Sequence, residues 1–353
     1  MDKHEAPPPH AGERLTREDV ERLIEEHGGP EGLDLRDADL RQANLGALDL
    51  HGVRLQRANL QETQLIQANI QGARLEDADL RGAILAYANL REAVLFGAKL
   101  PAAILLNADL QRAELICANL QGARLSQANL QGAKLTTADL TGADFAGADL
   151  RGVHLALANL RDVNLEGAIW GDYVLGDELA TFFVWAASVY RALKQWHTRA
   201  GMYDIAGQFF YREMEARRKS AWRQEPLPRG VPRDVGVQVR SRLGLSERQL
   251  PYAVAMNALR FLYGYGERPE RVIGWAAGII LGLALVHWLF GTVSGAFWDA
   301  LYYSAVSFVA LGYGEWAPEP QGWAGRFLGV GEAIMGVFMM ALFLVTFTRK
   351  MTR

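Results

Sequence analysis

Residues 118–140 read Ala118-Asn119-Leu120-Gln121-Gly122-Ala123-Arg124-Leu125-Ser126-Gln127-Ala128-Asn129-Leu130-Gln131-Gly132-Ala133-Lys134-Leu135-Thr136-Thr137-Ala138-Asp139-Leu140. The same five-residue phrase extends far beyond this stretch. Every fifth position from Leu35 to Trp170 is Leu, apart from Ile70, Phe145 and Trp170, which makes 28 consecutive blocks, and Ala stands two positions earlier in 22 of them. A period of five fits neither a helix nor a flat strand. A small residue alternating with a large one suits the inside of a narrow tube, with Ala in the tight site and Leu at the centre. Asn or Asp between them can hydrogen-bond local backbone at the turns.

These blocks resemble the pentapeptide-repeat family, A(D/N)LXX, over about 140 residues. The resemblance implies a right-handed quadrilateral β-helix in which four five-residue sides make one coil. About seven coils stacked at roughly 4.8 Å would form a rod of about 34 Å. Cys117, the single cysteine, lies three positions before Leu120 and is expected to point outward. It excludes an intrachain disulfide framework and suits a reducing compartment.

The ends of such a rod are unpaired edges that need covering. Before it, Leu15, Val20, Leu23 and Ile24 form an apolar stripe, with Thr16 and Asp19 spaced as a capping box. After it, the aromatic run Leu179–Tyr190 is expected to form a covering helix, and residues 203–219 a second helix after a turn near Gly201. This hairpin is similar to one tetratricopeptide-like pair and reads as a structural connector in preference to a partner-binding element. The domains expected are an N-terminal cap helix (1–30), the β-helix (31–172), a helical hairpin (173–225), a basic linker (226–270) and a membrane domain (271–353). The fold class expected is mixed: a β-helix, a helical linker and, on the hydropathy of the sequence that follows, an α-helical domain with two transmembrane helices and a re-entrant loop.

Charge is local. The net charge of −3 divides into −4 for residues 1–30, −4 for 31–170, +5 for 171–271 and 0 for 272–353. Between Arg217 and Arg242, eight Lys or Arg stand against Glu225 and Asp234, the composition of a segment facing anionic lipid headgroups or of a solvated linker. Residues 1–30 contain no apolar stretch resembling a signal peptide, so the N-terminal half is expected in the cytoplasm.

Val272–Val293 carries no charged side chain and is long enough to span a bilayer. Gly274, Gly278 and Gly282 give it a smooth ridge for another helix. A second apolar stretch, Phe327–Thr348, is interrupted only by Glu332. Arg268 and Arg271 precede the first span, cations follow the second, and Gly291–Gly325 has no Lys or Arg, so both termini are expected on the cytoplasmic side of the cell membrane. Asp299, Glu315 and Glu319 would make a negative outer mouth.

Between the spans, the aromatic-rich segment Ala296–Val309 is too short to cross and precedes Ala310-Leu311-Gly312-Tyr313-Gly314-Glu315. This order resembles the pore domain of two-transmembrane potassium channels, whose filter reads TVGYGD. The resemblance implies a homotetramer passing potassium through rings of filter carbonyls, with Gly312 and Gly314 admitting the unusual dihedrals. Ala310 and Leu311 depart from the family's Thr and Val. Gly264-Tyr265-Gly266 repeats the tripeptide without a pore helix before it and reads as a juxtamembrane turn. Aligning the second span places Gly336 at the family's inner-helix hinge, with Glu332 one turn before it; both are gating candidates. An ionisable group in a span faces protein or water. His287 reads as packed or interfacial.

No phosphate loop, metal-ligand cluster or nucleophile beside a base is visible, so neither an enzyme nor a cofactor is expected. The mild charge of the repeats disfavours nucleic-acid mimicry. Two readings stand: a potassium-type channel with a β-helix that senses a cytoplasmic protein or ligand, and a membrane-anchored scaffold with a non-conducting or weakly selective pore.

Overall fold

In each repeat the chain turns from the central Leu to the next Ala, as where the Ala123 amide donates to the Leu120 carbonyl at 3.0 Å. The third residue of each turn lies in the left-handed region, a requirement of type II turns that Gly122 (φ 63°) meets without strain. Ala102 (φ 55°) and Cys117 (φ 59°) adopt it as well. Their amides donate along the stack, to Gln121 O at 2.9 Å and Thr136 O at 3.0 Å, which offsets the conformational cost.

The computed structural model describes residues 8–220, 255–257, 259–261, 264–266, 269–309 and 320–351. These fall into two units that divide between Leu193 and Lys194. In the first, parallel bridges join each fifth residue to the one 20 positions on, from Asp34↔Arg54 to Asp149↔Ile169. The pairings are isolated bridges rather than strands, because one extended residue per side is followed at once by a corner. From Leu35 to Leu155 every central side chain is 2% exposed or less.

One exception to the Ala rule makes a contact that Ala could not. Thr63 is buried, and its Oγ1 donates to the Leu40 carbonyl at 2.7 Å. Asn and Asp act at the turns as expected: Asn119 Oδ1 accepts from the Gln121 amide at 3.0 Å, and Asp139 Oδ1 from the Thr141 amide at 3.1 Å. Hydrogen bonds from the side chains of Thr141 and Gln121 hold the Asp139 carboxyl below its ordinary range. Amide side chains also ladder between coils, with Asn89 Nδ2 on Asn69 Oδ1 at 2.9 Å. Cys117 is exposed.

Helix α1 (Arg17–His27) starts on a capping box, Thr16 with Asp19, and ends on left-handed Gly28. Arg17 Nη1 donates to the Gly46 carbonyl at 2.9 Å, and Leu15 and Val20 are buried, tying the helix to the first coils. At the other end the Val153 carbonyl accepts from the Gly176 amide, and Asp177 from the Leu155 amide, both at 2.8 Å. A Cβ on Gly176 would overlap the Gly152 carbonyl and the His154 ring, so only glycine fits. The covering segment is not one helix from Leu179. It is α2 (Gly176–Leu179), a break at left-handed Thr181, and α3 (Phe183–Arg199). Tyr190 reaches back to Glu178 at 2.6 Å.

In the second unit α4 (Tyr203–Ser220) follows left-handed Gly201. Its buried Glu213 receives Lys194 at 2.9 Å and Arg217 at 2.7 Å. Buried Glu215 receives Arg260 at 2.8 Å, Arg218 at 3.1 Å and the Tyr265 hydroxyl at 3.1 Å. The tripeptide Gly264–Gly266 is a tight 3-10 turn with Tyr265 at φ 60°. Burial, and then the Glu215 charge, push the Tyr265 phenol above its ordinary range, so it remains a donor.

Three helices complete this unit: α5 (Pro269–Leu289), α6 (Phe297–Val309) and α7 (Gly322–Met351). Pro269 opens α5 where its missing N–H costs nothing, and left-handed Gly291 follows its end, so the span runs three residues earlier than expected at its start and four earlier at its end. Segments of α5 and α7, 20 and 27 residues long, are apolar enough to cross a bilayer. Val272, Phe308 and Met339 form the common core of the three helices. A Cβ on Gly274, Gly278 or Gly282, the expected ridge, would meet no described atom of the chain within 4 Å. Close approaches lie on α7, at Gly325 against the Thr292 carbonyl and most tightly at Gly336, where a Cβ would overlap the Phe308 carbonyl.

Candidate functional site

Helix α6 begins where Asp299, in its first turn, accepts from the Ala296 amide at 2.7 Å, and it ends at Val309. Asp299 of the expected negative mouth is thus engaged by its own helix N-terminus. Ala310, Leu311, Gly312, Tyr313, Gly314 and Glu315 follow directly and, with Glu319, lie outside the described residues. The loop returns through an antiparallel bridge, Val293↔Pro320, and the Gln321 amide donates to the Thr292 carbonyl at 2.7 Å. The segment that leaves α5 and the one that enters α7 therefore lie side by side.

Behind α6 lies a buried polar cluster built from all three helices. Glu332 of α7 is 1% exposed and accepts from Ser304 Oγ of α6 at 2.7 Å. His287 of α5, 0% exposed, brings its Nε2 to 3.5 Å from the same carboxylate oxygen. Its Nδ1 lies 2.6 Å from Thr292 Oγ1, and the Tyr303 ring meets the imidazole edge-on with centroids 5.0 Å apart. Thr292 can donate to the His287 carbonyl at 3.4 Å, which leaves Nδ1–H to donate to Thr292 and directs Nε2 at Glu332. Among the described residues, the second Glu332 oxygen and His287 Nε2 have no hydrogen-bond partner.

Glu332 thus faces protein, as expected of a carboxyl in an apolar helix. His287 is packed, yet packed against Glu332, and that pairing escaped the sequence. The available signal was that the apolar stretches Val272–Val293 and Phe327–Thr348 each carried one ionisable residue, and burial in a span makes such groups seek each other. Gly336, one turn after Glu332, lies against the end of α6. Among the described residues no group of His, Cys, Asp and Glu is arranged to hold a metal ion.

The pentapeptide-repeats family model matches in eight copies within residues 34–169, and the ion-channel family model matches residues 274–353. One is a repeat family and the other a channel family, neither an enzyme family. Among solved structures, a pentapeptide repeat protein, Rfr23, from the cyanobacterium Cyanothece 51142 is 39% identical over 26% of this chain and 63% of its own length, with a TM-score of 0.26. The chain thus spans less than two thirds of that relative. A pentapeptide repeat protein from the Arabidopsis thaliana thylakoid lumen is 32% identical over 32% of this chain and 68% of its own, TM-score 0.19. HetL from Nostoc sp. strain PCC 7120, involved in heterocyst differentiation regulation, is 26% identical over 46% and 99%, TM-score 0.19. No curated protein matches the chain. Repeats and membrane-length helices agree with these matches: the chain belongs to the pentapeptide-repeat family across residues 34–169 and carries an ion-channel domain, with two membrane-length helices, across residues 274–353.

Proposed function

We propose that the protein is a tetrameric potassium-type cation channel of the cell membrane, with both termini cytoplasmic. The observation that carries this reading is a short helix, α6, packed between two membrane-length helices and ending at the residue before Ala310-Leu311-Gly312-Tyr313-Gly314. Four such segments on one axis would supply the carbonyl rings that replace the hydration shell of potassium, and Glu315 would stand at the outer mouth. Irregular backbone at membrane depth needs surrounding protein, and one loop per chain asks for four chains. Permeant potassium needs no resident cofactor.

In this reading residues 31–172 are a right-handed β-helix of about seven coils, given the 20-residue register. Capped by 1–30 and followed by the hairpin 173–225 and the linker 226–270, it is a regulatory or partner-binding element for the pore domain 271–353. A cytoplasmic protein or ligand is its occupant, and nucleic acid is not.

The reading is tested by potassium and sodium flux in liposomes with purified full-length protein. Ala310 lacks the hydroxyl that the family's Thr offers to the innermost ion, so that site keeps only carbonyls and water. Potassium flux with reduced preference over sodium is expected, rising in Ala310→Thr as read by bi-ionic reversal potentials. Strict selectivity unchanged by the substitution refutes the inner-site argument. Absence of flux in a fourfold particle favours the scaffold.

Glu332 and Gly336 are the gating candidates. Glu332→Gln keeps shape and an acceptor for Ser304 but removes the carboxyl beside His287. Flux measured over a wide pH range is expected to differ between the parent and this variant. Identical pH profiles, with normal assembly, would reduce Glu332 to a structural brace.

A further inference from the structure

The approach to α5 contains a groove of about 870 Å³ whose walls differ in chemistry from end to end. At its mouth stand Arg260 and Arg271, and the Arg271 guanidinium donates to the Arg260 carbonyl at 2.8 Å. Phe261 and Trp275 form one side, their centroids 4.5 Å apart, and the Trp275 indole N–H donates to the Phe261 carbonyl at 3.0 Å. The floor is Gly274 and Gly278, where a Cβ would meet nothing within 4 Å. Four residues on a helix advance about 6 Å, so this floor runs from Arg271 into the apolar span.

Charge is not balanced at the mouth. Arg260 shares Glu215 with Arg218, stays 44% exposed, and Arg271 is spent on a neutral carbonyl. Among the described residues Arg271 meets no carboxylate, and nothing lies within 4 Å of a Cβ built on the glycine floor. A soluble anion would answer only the first of these. A second copy of α5 laid on the glycines would bring apolar surface against two guanidinium groups, at a desolvation cost.

We propose that this groove binds an anionic glycerophospholipid, with its phosphate between Arg260 and Arg271 and the first carbons of an acyl chain along Gly274 and Gly278. Membrane anionic lipid, a partner that the basic approach to the span already suits, thereby gains a defined site. The inference rests on α5 being a membrane span but not on conduction, and it is read without ion flux.

The test titrates the full-length protein in neutral detergent with phosphatidylglycerol and with phosphatidylcholine, counting bound lipids by native mass spectrometry. Preferential retention of phosphatidylglycerol is expected, weakened about fivefold in Arg271→Gln, the size of one arginine near a charged headgroup, and largely restored in Arg271→Lys. Gly278→Leu, which fills the floor, is expected to weaken retention while the melting temperature and assembly hold. Equal retention of both lipids by the parent, or an unchanged preference in Arg271→Gln, overturns the proposal. Full displacement by millimolar inorganic phosphate would make this a soluble-anion site instead. Loss of assembly in Gly278→Leu with lipid retention unchanged would make it a face for a second copy.

Discussion

Replacing Leu120 by Asp is expected to abolish cooperative folding of the repeat coil. Leu120 is fully buried, its amide donates to Asp139 O at 2.8 Å, and its carbonyl closes the turn to Ala123 at 3.0 Å. The 20-residue register places Leu100 and Leu140 on the same column, one coil to either side. Loss of the side chain alone costs about 2–5 kcal/mol. An unpaired carboxylate in the tube adds several kcal/mol more, or remains neutral at a comparable penalty. The sum approaches the ~5–15 kcal/mol that holds a domain together. Because each coil is stabilised by its neighbours, the defect spreads along the stack. Gln127→Asp puts the same carboxylate on an exposed corner and is expected to change stability by about 0.5 kcal/mol or less. Circular dichroism melts and limited proteolysis of the two variants decide the matter. A cooperative transition in Leu120→Asp close to that of Gln127→Asp would contradict an interior leucine column.

The second large effect is expected at Gly336. A single methyl there would occupy the space of the Phe308 carbonyl oxygen, backbone that cannot rotate away as a side chain could. Helix α7 would have to retreat from α6, opening the core of Val272, Phe308 and Met339 and withdrawing Glu332 from Ser304. Gly336→Ala is therefore expected to lower the melting temperature of the pore domain and reduce flux, and Gly336→Val to prevent a stable pore. Gly331, on the same helix, has nothing within 4 Å of a would-be Cβ. Gly331→Ala is expected to be neutral or slightly stabilising, by up to about 1 kcal/mol from helix propensity. Equal behaviour of the two alanine variants in thermal melts and flux would refute the close-packing account. That account explains glycine at 336 without a hinge; bending there remains part of the channel proposal.

Both predictions rest on glycine or leucine positions that look alike in sequence and differ in space. The five-residue period was legible because it is local: the inward sites follow from corners spaced at fixed intervals. The Thr16–Asp19 capping box and the turn at Gly201 were legible for the same reason, since cap and turn chemistry acts over three or four residues. Hydropathy alone located the two spans to within a few residues.

Contacts between helices were not so written. Within one chain no described residue packs on the glycines spaced every four residues in the first span, while Gly325 and Gly336 of the other span touch a neighbouring backbone. His287 and Glu332 are 45 positions apart in sequence, and Tyr265 finds Glu215 across 50. Amino-acid order by itself determined the repeat coil, its inward columns, the caps and the membrane-length helices, because each depends on backbone geometry repeating over a few residues. Tertiary structure alone decided which glycine admits a neighbour and which buried charges meet. The rotation and sliding of one helix against another is set by the fit of whole surfaces, and no short stretch of either helix encodes that fit.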